Sequence, residues 1–219
     1  MKREFTAADV AAAARRAASA LRAQEAVLTE LDQAVGDGDL GITAIKLAEA
    51  LEAAADQGGA DLGKFLSQTG MSLNRAASST MGTLMATALM QAGKRVMGKE
   101  SLTTADLPQL LNAATDGVRT RGKANLGDKT LLDALLPASE AFAAALSEGK
   151  PLPAAAEAMV AAARAGRDRV TPMRNRIGRA GWLGERTEGK VDPGCGFAVT
   201  VLAALAGERP SAAAVAVQR

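Results

Sequence analysis

The segment LDQAVGDGDLG, Leu31 to Gly41, packs three carboxylates, Asp32, Asp37 and Asp39, into eight residues, threads glycines between them and supplies no lysine or arginine. Like charges held that close repel, so the segment is either well solvated or built to receive a cation. If one helix ends near Asp32 and the next starts at Gly41, Asp37 and Asp39 sit two apart in an extended turn and can point the same way. Asp32 on the last helical turn reaches the same point. Three carboxylates so placed are hard oxygen ligands suited to Mg²⁺, which keeps water or phosphate oxygens in its remaining positions. Gly36, Gly38 and Gly41 let the backbone approach a ligand, and the amides that open the second helix offer an anion site beside the cation.

Other readings of these residues are weaker. In an EF-hand, Asp37 and Asp39 fit the first two ligand positions, but Gly41 stands at the third, Ile42 replaces the turn glycine and Ala48 replaces the bidentate glutamate. An acidic turn that favours a helix dipole needs one or two aspartates, without interleaved glycines. Three segments approach a P-loop: GGADLGKF from Gly58, GKRVMGKE from Gly93 and GVRTRGKA from Gly117. Each lacks the Ser/Thr that would hold Mg²⁺, and none follows a strand.

The elements that must position these residues are helices. Hydrophobic residues make up 48% of the 219 and aromatics only 2%, so the core is built from Ala, Leu, Val and Met, the residues of closely packed helices. That length suits one domain over residues 1–219. Glycine- and proline-bearing breaks separate eight helices. The first runs from about Thr6, where Thr6 and Asp9 have capping-box spacing, to about Asp32. The second follows Gly41, the third starts near Asp61, the fourth covers about Gly82 to Gln91 and the fifth begins near Thr104. The sixth begins near Asp128 with Leu131, Leu132, Leu135 and Leu136, the seventh covers about Pro153 to Val170, and the eighth spans Phe197 to Leu205. No strand-like alternation or fixed-period repeat is evident, so an all-α bundle is expected. About 209–219, ending in PSAAAVAVQR, reads as a flexible tail. Four loops, Gly36 to Gly41, Ala77 to Gly82, Gly122 to Thr130 and Gly178 to Gly196, are richer in glycine and charge than connectors need.

Composition also excludes functions. Net charge is +2, from 26 basic and 24 acidic residues that intersperse, which is not the footprint of a nucleic-acid binder. One cysteine, Cys195, and no histidine leave no internal disulfide and none of the usual zinc ligand sets, in keeping with a reducing cytoplasm. The Ala/Arg-rich start is interrupted by Glu4 and Asp9 and reads as a helix, not a transit peptide. No run approaches a membrane span.

The four blocks LDQAVGDGDLGIT, TGMSLNRAASSTMGTL, RGKANLGDKTLLDALLP and GRAGWLGERTEGKVDPG, in that order and spacing, resemble the nucleotide-binding L subunit of dihydroxyacetone kinases, from Leu28 to Gly207. The resemblance implies a barrel of eight antiparallel amphipathic helices with ADP or ATP and two Mg²⁺ ions in the loops at one end. It implies Asp32, Asp37 and Asp39 as metal ligands. Its nucleotide contacts fall on Leu40, Gly41, Ile42 and Thr43, on Thr80 and Met81, on Gly122 and Leu131, and on Arg179, Asp192, Pro193 and Gly194. Leu131 would pack on adenine, and Arg179 would join the aspartates in catalysis by neutralising phosphate charge.

Each residue also has a plainer reading: Leu131 as core, Gly122 as a helix stop, Arg179 paired with Glu185, and Trp182 as a packing anchor for its loop. Two departures stand out. Leu40 replaces the family's usual histidine, and Ser78-Ser79-Thr80-Met81-Gly82 replaces Gly-Gly-Ala/Thr-Ser-Gly. Ser79 or Thr80 is then the source of the hydroxyl lost at Met81.

The resemblance further implies a separate K-type subunit that holds a small hydroxyketone through a histidine, which this chain lacks. The donor is either exchangeable ATP or a bound ADP recharged by a phosphohistidine (M-type) carrier, and both stay open, as does oligomeric state. A nucleotide-sensing regulatory module without turnover is the alternative from another class, and an inert helical scaffold the third.

Overall fold

The computed structural model describes residues 4–209; the last ten residues, read above as a tail, lie outside them. Ten helices follow in order: α1 (Ala7–Ala23), α2 (Glu25–Val35), α3 (Leu40–Gln57), α4 (Leu62–Ala76), α5 (Thr80–Arg95), α6 (Asp106–Gly122), α7 (Leu131–Ser147), α8 (Leu152–Val170), the short α9 (Gly178–Gly181) and α10 (Pro193–Ala206). A 3₁₀ turn covers Gly184–Thr187.

The expected all-α bundle is present, with three differences. The single long first helix is two, because the chain breaks at Gln24 (φ −105°, ψ 10°), and the break lets α1 and α2 each pack on α3 and α10. The extra α9 lies inside the expected last loop. A two-residue antiparallel pair, Glu4–Phe5 (β1) with Leu102–Thr103 (β2), ties the start of the described chain to the α5–α6 connection. Alternation over two residues is too short to register as a strand pattern.

Local signals account for several termini. Thr6 and Asp9 do form a capping box, with the Thr6 amide donating to Asp9 Oδ2 at 2.9 Å. Asp61, Ser79, Thr130 and Asp192 cap α4, α5, α7 and α10.

Contacts between helices run α1–α3–α4–α5–α6–α7–α8–α10 and close back on α1. The helix α10 is apolar almost all round, with Phe197, Val199 and Leu202 fully or nearly buried, as a helix surrounded by others must be. Small residues allow the close approaches. Pro137 cannot donate to the Asp133 carbonyl one turn back, and that carbonyl lies where a Cβ on Gly166 of α8 would be. Among the described residues no helix is long and apolar enough to cross a membrane.

Candidate functional site

Antiparallel succession puts the ends of α2, α4, α6 and α8 and the starts of α3, α5, α7 and α10 at one end of the bundle, so the four glycine-rich loops meet there. Named contacts join them. Thr43 Oγ1 donates to Ser79 Oγ at 3.4 Å, linking the first loop to the second. The Arg179 guanidinium pairs with Asp37 and lies 3.8 Å from Asp39, linking the first to the last. Asn175 Nδ2 donates to the Lys129 carbonyl at 2.7 Å, linking the third to the last. Val191 packs on Leu31 beside Asp32.

The three acidic residues are brought together as their spacing suggested: carboxylate oxygens of Asp32, Asp37 and Asp39 lie within 4.8 Å of one another. Asp32 is half-buried on the last turn of α2 and accepts the Leu40 amide at 3.2 Å. A Cβ at Gly36 would come 2.7 Å from Asp32 Oδ1, so a side chain there would displace this carboxylate from its present position. Gly38 takes φ +79°, the left-handed region, to return the chain toward Asp39. The donor set is anionic oxygen throughout, which fits a hard divalent cation.

Helix geometry supplies anion donors next to it. The Leu40 amide is engaged by Asp32, and the Thr43 amide donates to the Asp39 carbonyl; Gly41 and Ile42 between them are first-turn amides without intrahelical acceptors. In α5 the Ser79 hydroxyl takes the Gly82 amide at 3.1 Å, which leaves Thr80 and Met81 in the same position. Two helix N-termini therefore face the edge of an acidic cluster, an arrangement for a phosphate chain that carries a metal.

Side chains of several expected contacts lie elsewhere. Leu40 is in the core with Leu28, Leu47 and Phe197, and Leu131 is 3% exposed in the other large core cluster, its plainer reading. Met81 packs against both clusters, so its backbone rather than its side chain adjoins the site. Gly122 ends α6, with Lys123 at φ 51° as the left-handed cap. Gly41 serves helix packing: a Cβ there would meet Thr29 Oγ1 and lie 2.7 Å from the Glu25 carbonyl.

Two readings of the last loop are corrected. Glu185 pairs with Arg174, leaving Arg179 to the aspartates. Trp182 is no packing anchor: it is 88% exposed at the C-terminal end of the short α9, where its backbone amide, not its ring, holds the turn by donating to the Arg179 carbonyl at 3.1 Å.

Sequence reasoning named Asp192 only as a nucleotide contact and passed over the buried polar hub that it forms with Lys129, Asp133 and Asn175 beneath this loop. Asp192 caps α10, accepting the Cys195 amide at 2.8 Å and Asn175 Nδ2 at 2.9 Å. Lys129 is fully buried, its ammonium donating to the carbonyls of Thr171, Met173 and Thr187 at 2.9, 2.7 and 2.7 Å. Asp133 is fully buried too, accepting the Gly127 and Thr130 amides. The Thr130–Asp133 capping-box spacing was readable; the role of Lys129 was not, since its acceptors come from far along the chain.

Burial pushes the Asp192 carboxyl up to about 6 from 3.8, against the opposing pull of the Cys195 amide, Asn175 and Lys129. The native state then holds this proton more tightly than the unfolded chain, so the group's contribution is most favourable in acid and is lost as pH rises from about 4 through 6. Asp192→Asn keeps the cap and removes the titration. Urea unfolding at pH 4.5 and 7 is expected to show the wild-type-minus-variant stability falling by about 2 kcal/mol toward neutrality; a pH-independent difference would refute the assignment.

Comparison with known proteins follows the same lines. The profile of the DAK2 domain matches residues 34–207. The chain is 36% identical over 171 residues to the "PEP-dependent dihydroxyacetone kinase, ADP-binding subunit DhaL" of Escherichia coli (strain K12), covering 76% of this chain and 80% of that one. It is 31% identical to the ADP-binding subunit DhaL of "PEP-dependent dihydroxyacetone kinase 1" of Listeria innocua, over 77% and 79% of the two chains. The crystal structure of the dihydroxyacetone kinase from C. freundii in complex with AMP-PNP and Mg²⁺ superposes with a TM-score of 0.66 at 26% identity. That match covers 90% of this chain but 33% of the C. freundii chain.

Proposed function

The chain belongs to the DAK2 domain family, and from that premise we propose that it is the nucleotide-binding half of a two-component kinase that phosphorylates a small hydroxyketone. The observation that carries this reading is the gathering of Asp32, Asp37 and Asp39 within 4.8 Å of one another at the joint mouth of two helix N-termini. ADP or ATP is the nucleotide, with two Mg²⁺ ions held by the three aspartates. When bound, Mg²⁺ offsets charge on the terminal phosphates during transfer.

The chain's own groups do the positioning. Asp32 is oriented by the Leu40 amide, while Asp37 and Asp39 hold the open side of the cation site. The amides of Gly41, Ile42, Thr80 and Met81 meet phosphate oxygens, and Thr43 and Ser79 add hydroxyls between them. Arg179 brings a planar cation to the same point, where it balances the aspartates and reaches an anionic phosphate tail. Asp192, Pro193 and Gly194 support the start of α7, since a Cβ on Gly194 would stand 3.0 Å from the Leu131 amide.

Holding the acceptor falls to a K-type partner, because the family's histidine has no counterpart in a chain with none. The names of the E. coli and Listeria relatives support PEP as the phosphate source and ADP as the bound nucleotide; the group proposed to recharge that ADP is a phosphohistidine carrier.

The test is calorimetry with Mg²⁺ and ADP, followed by transfer assays with a K-type subunit and dihydroxyacetone. Magnesium-dependent ADP binding, retention of ADP through dialysis and recharging by the carrier alone are expected. Flat titrations on folded protein overturn the reading. Binding without transfer to any K-type partner converts it to a nucleotide-sensing module, and recharging by free ATP replaces the carrier route.

A further inference from the structure

We propose that Lys129 is a positioning residue: its buried ammonium clamps both ends of the Thr171–Thr187 loop and thereby holds Arg179 over Asp37 and Asp39. The inference rests on the proposed role of that cluster in binding a metal-nucleotide. Lys129 itself lies too deep to touch a ligand, being fully buried.

The geometry is that of a staple. An ammonium has three donors, and here they go to Thr171 and Met173 at the start of the loop and to Thr187 at its end. Lys129 holds a left-handed backbone, φ 60°, a conformation that costs an L-residue roughly 1 kcal/mol or more and persists when the surroundings demand it. The demand is visible in its neighbours. The Lys129 carbonyl accepts Asn175 Nδ2, the Asp128 carbonyl accepts the Arg176 amide at 3.0 Å, and the Asn175 amide donates to Thr187 Oγ1 at 2.9 Å. One short segment, Asp128-Lys129, thus binds the base of the loop through two carbonyls and one side chain.

Beyond this base the loop is held by its own backbone turns and by the exposed pairs of Arg174 with Glu185 and Glu188. It carries Arg179, whose side chain is 54% exposed, and Trp182, 88% exposed. An exposed ion pair contributes only about 0–1 kcal/mol, too little to order a segment of that length against its conformational entropy. Arg179 therefore meets the aspartates because the base is clamped, by the Gly189 amide on the Thr171 carbonyl and by one cation that gathers three converging carbonyls. A neutral side chain of the same length would leave the Met173 carbonyl without a donor, at a cost of roughly 1–3 kcal/mol, and would leave the Thr171 and Thr187 carbonyls only the Gly189 and Lys190 amides, at 3.0 and 3.3 Å. The loop base would open to hydrate them.

Trp182, the chain's only tryptophan, reports on the loop without any ligand. Lys129→Met is expected to lower Trp182 fluorescence anisotropy while far-UV circular dichroism keeps its helical signal. The dissociation constant for Mg²⁺-ADP is expected to rise roughly tenfold. In an Arg179→Ala background Lys129→Met is expected to add nothing further to that constant, since both act through one contact. Propylammonium added to Lys129→Ala is expected to restore anisotropy and affinity, and trimethylammonium, with a single donor, to restore neither.

Unchanged anisotropy in Lys129→Met overturns the clamp. Equal losses with and without Arg179 make Lys129 a general stabiliser and overturn its positioning role. Should Lys129→Met fail to fold, Asn175→Ala opens the same base more gently, and unchanged anisotropy there has the same meaning. The anisotropy arm needs no nucleotide, so a protein that binds none would sink the proposed function while the clamp is still decided.

Discussion

Asp37→Asn is expected to weaken Mg²⁺-dependent nucleotide binding at least ~10-fold while leaving the helical signal and the melting temperature nearly unchanged. The asparagine keeps the shape of the side chain and removes the charge that a hard cation selects. Asp37 lies on the α2–α3 loop with its side chain 52% exposed, so its pairing with Arg179 is of the solvated kind and adds little to folding. Loss of binding without loss of stability is the signature of a residue kept for a ligand. Asp32→Asn should differ, because Asp32 also accepts the Leu40 amide and its neutralisation loosens the start of α3 as well. Calorimetric titration of both variants beside thermal melts checks this, and a wild-type isotherm for Asp37→Asn would remove Asp37 from the site.

Gly41→Ala is expected to damage stability and binding together, by about 3 kcal/mol of unfolding free energy and at least ~10-fold in nucleotide affinity. The added methyl would overlap Thr29 Oγ1 and crowd the Glu25 carbonyl, both on α2. The Thr29 side chain can rotate, but the backbone carbonyl cannot, so α3 must move away from α2. Asp32 rides on α2, whereas Asp39 and the Gly41 and Ile42 amides ride on the start of α3. Separating the helices therefore pulls the cation site apart. Gly59→Ala is the control: its Cβ would find only ordinary contact, 3.5 Å from Phe65 Cβ, and it should unfold within about 0.5 kcal/mol of the wild type. Urea denaturation of the two variants decides it, and equal stability would mean that α2 and α3 do not need this contact.

Features that lie within a few turns of each other were readable from the amino acids alone. Helical periodicity, the Thr6–Asp9 capping box and the glycine breaks are set by backbone geometry over three or four residues. The carboxylate cluster belongs with them, since two aspartates in a turn and a third one helical turn earlier can hardly avoid each other. The anionic donor set and its preference for a hard cation follow from residue type, whatever the rest of the chain does.

Contacts closed across the chain needed the folded molecule. Arg179 reaches Asp37 rather than Glu185, on a loop whose base the Lys129 ammonium ties through carbonyls 42 to 58 residues away. Gly41 turned out to seat one helix on another, and Trp182 to stand in solvent, for the same reason: what surrounds a side chain depends on which distant segments pack there. Local rules carry no information about that path. Conformational entropy charges little more for closing a longer loop than a shorter one, so many long-range pairings cost nearly the same, and the packing of the whole bundle selects among them.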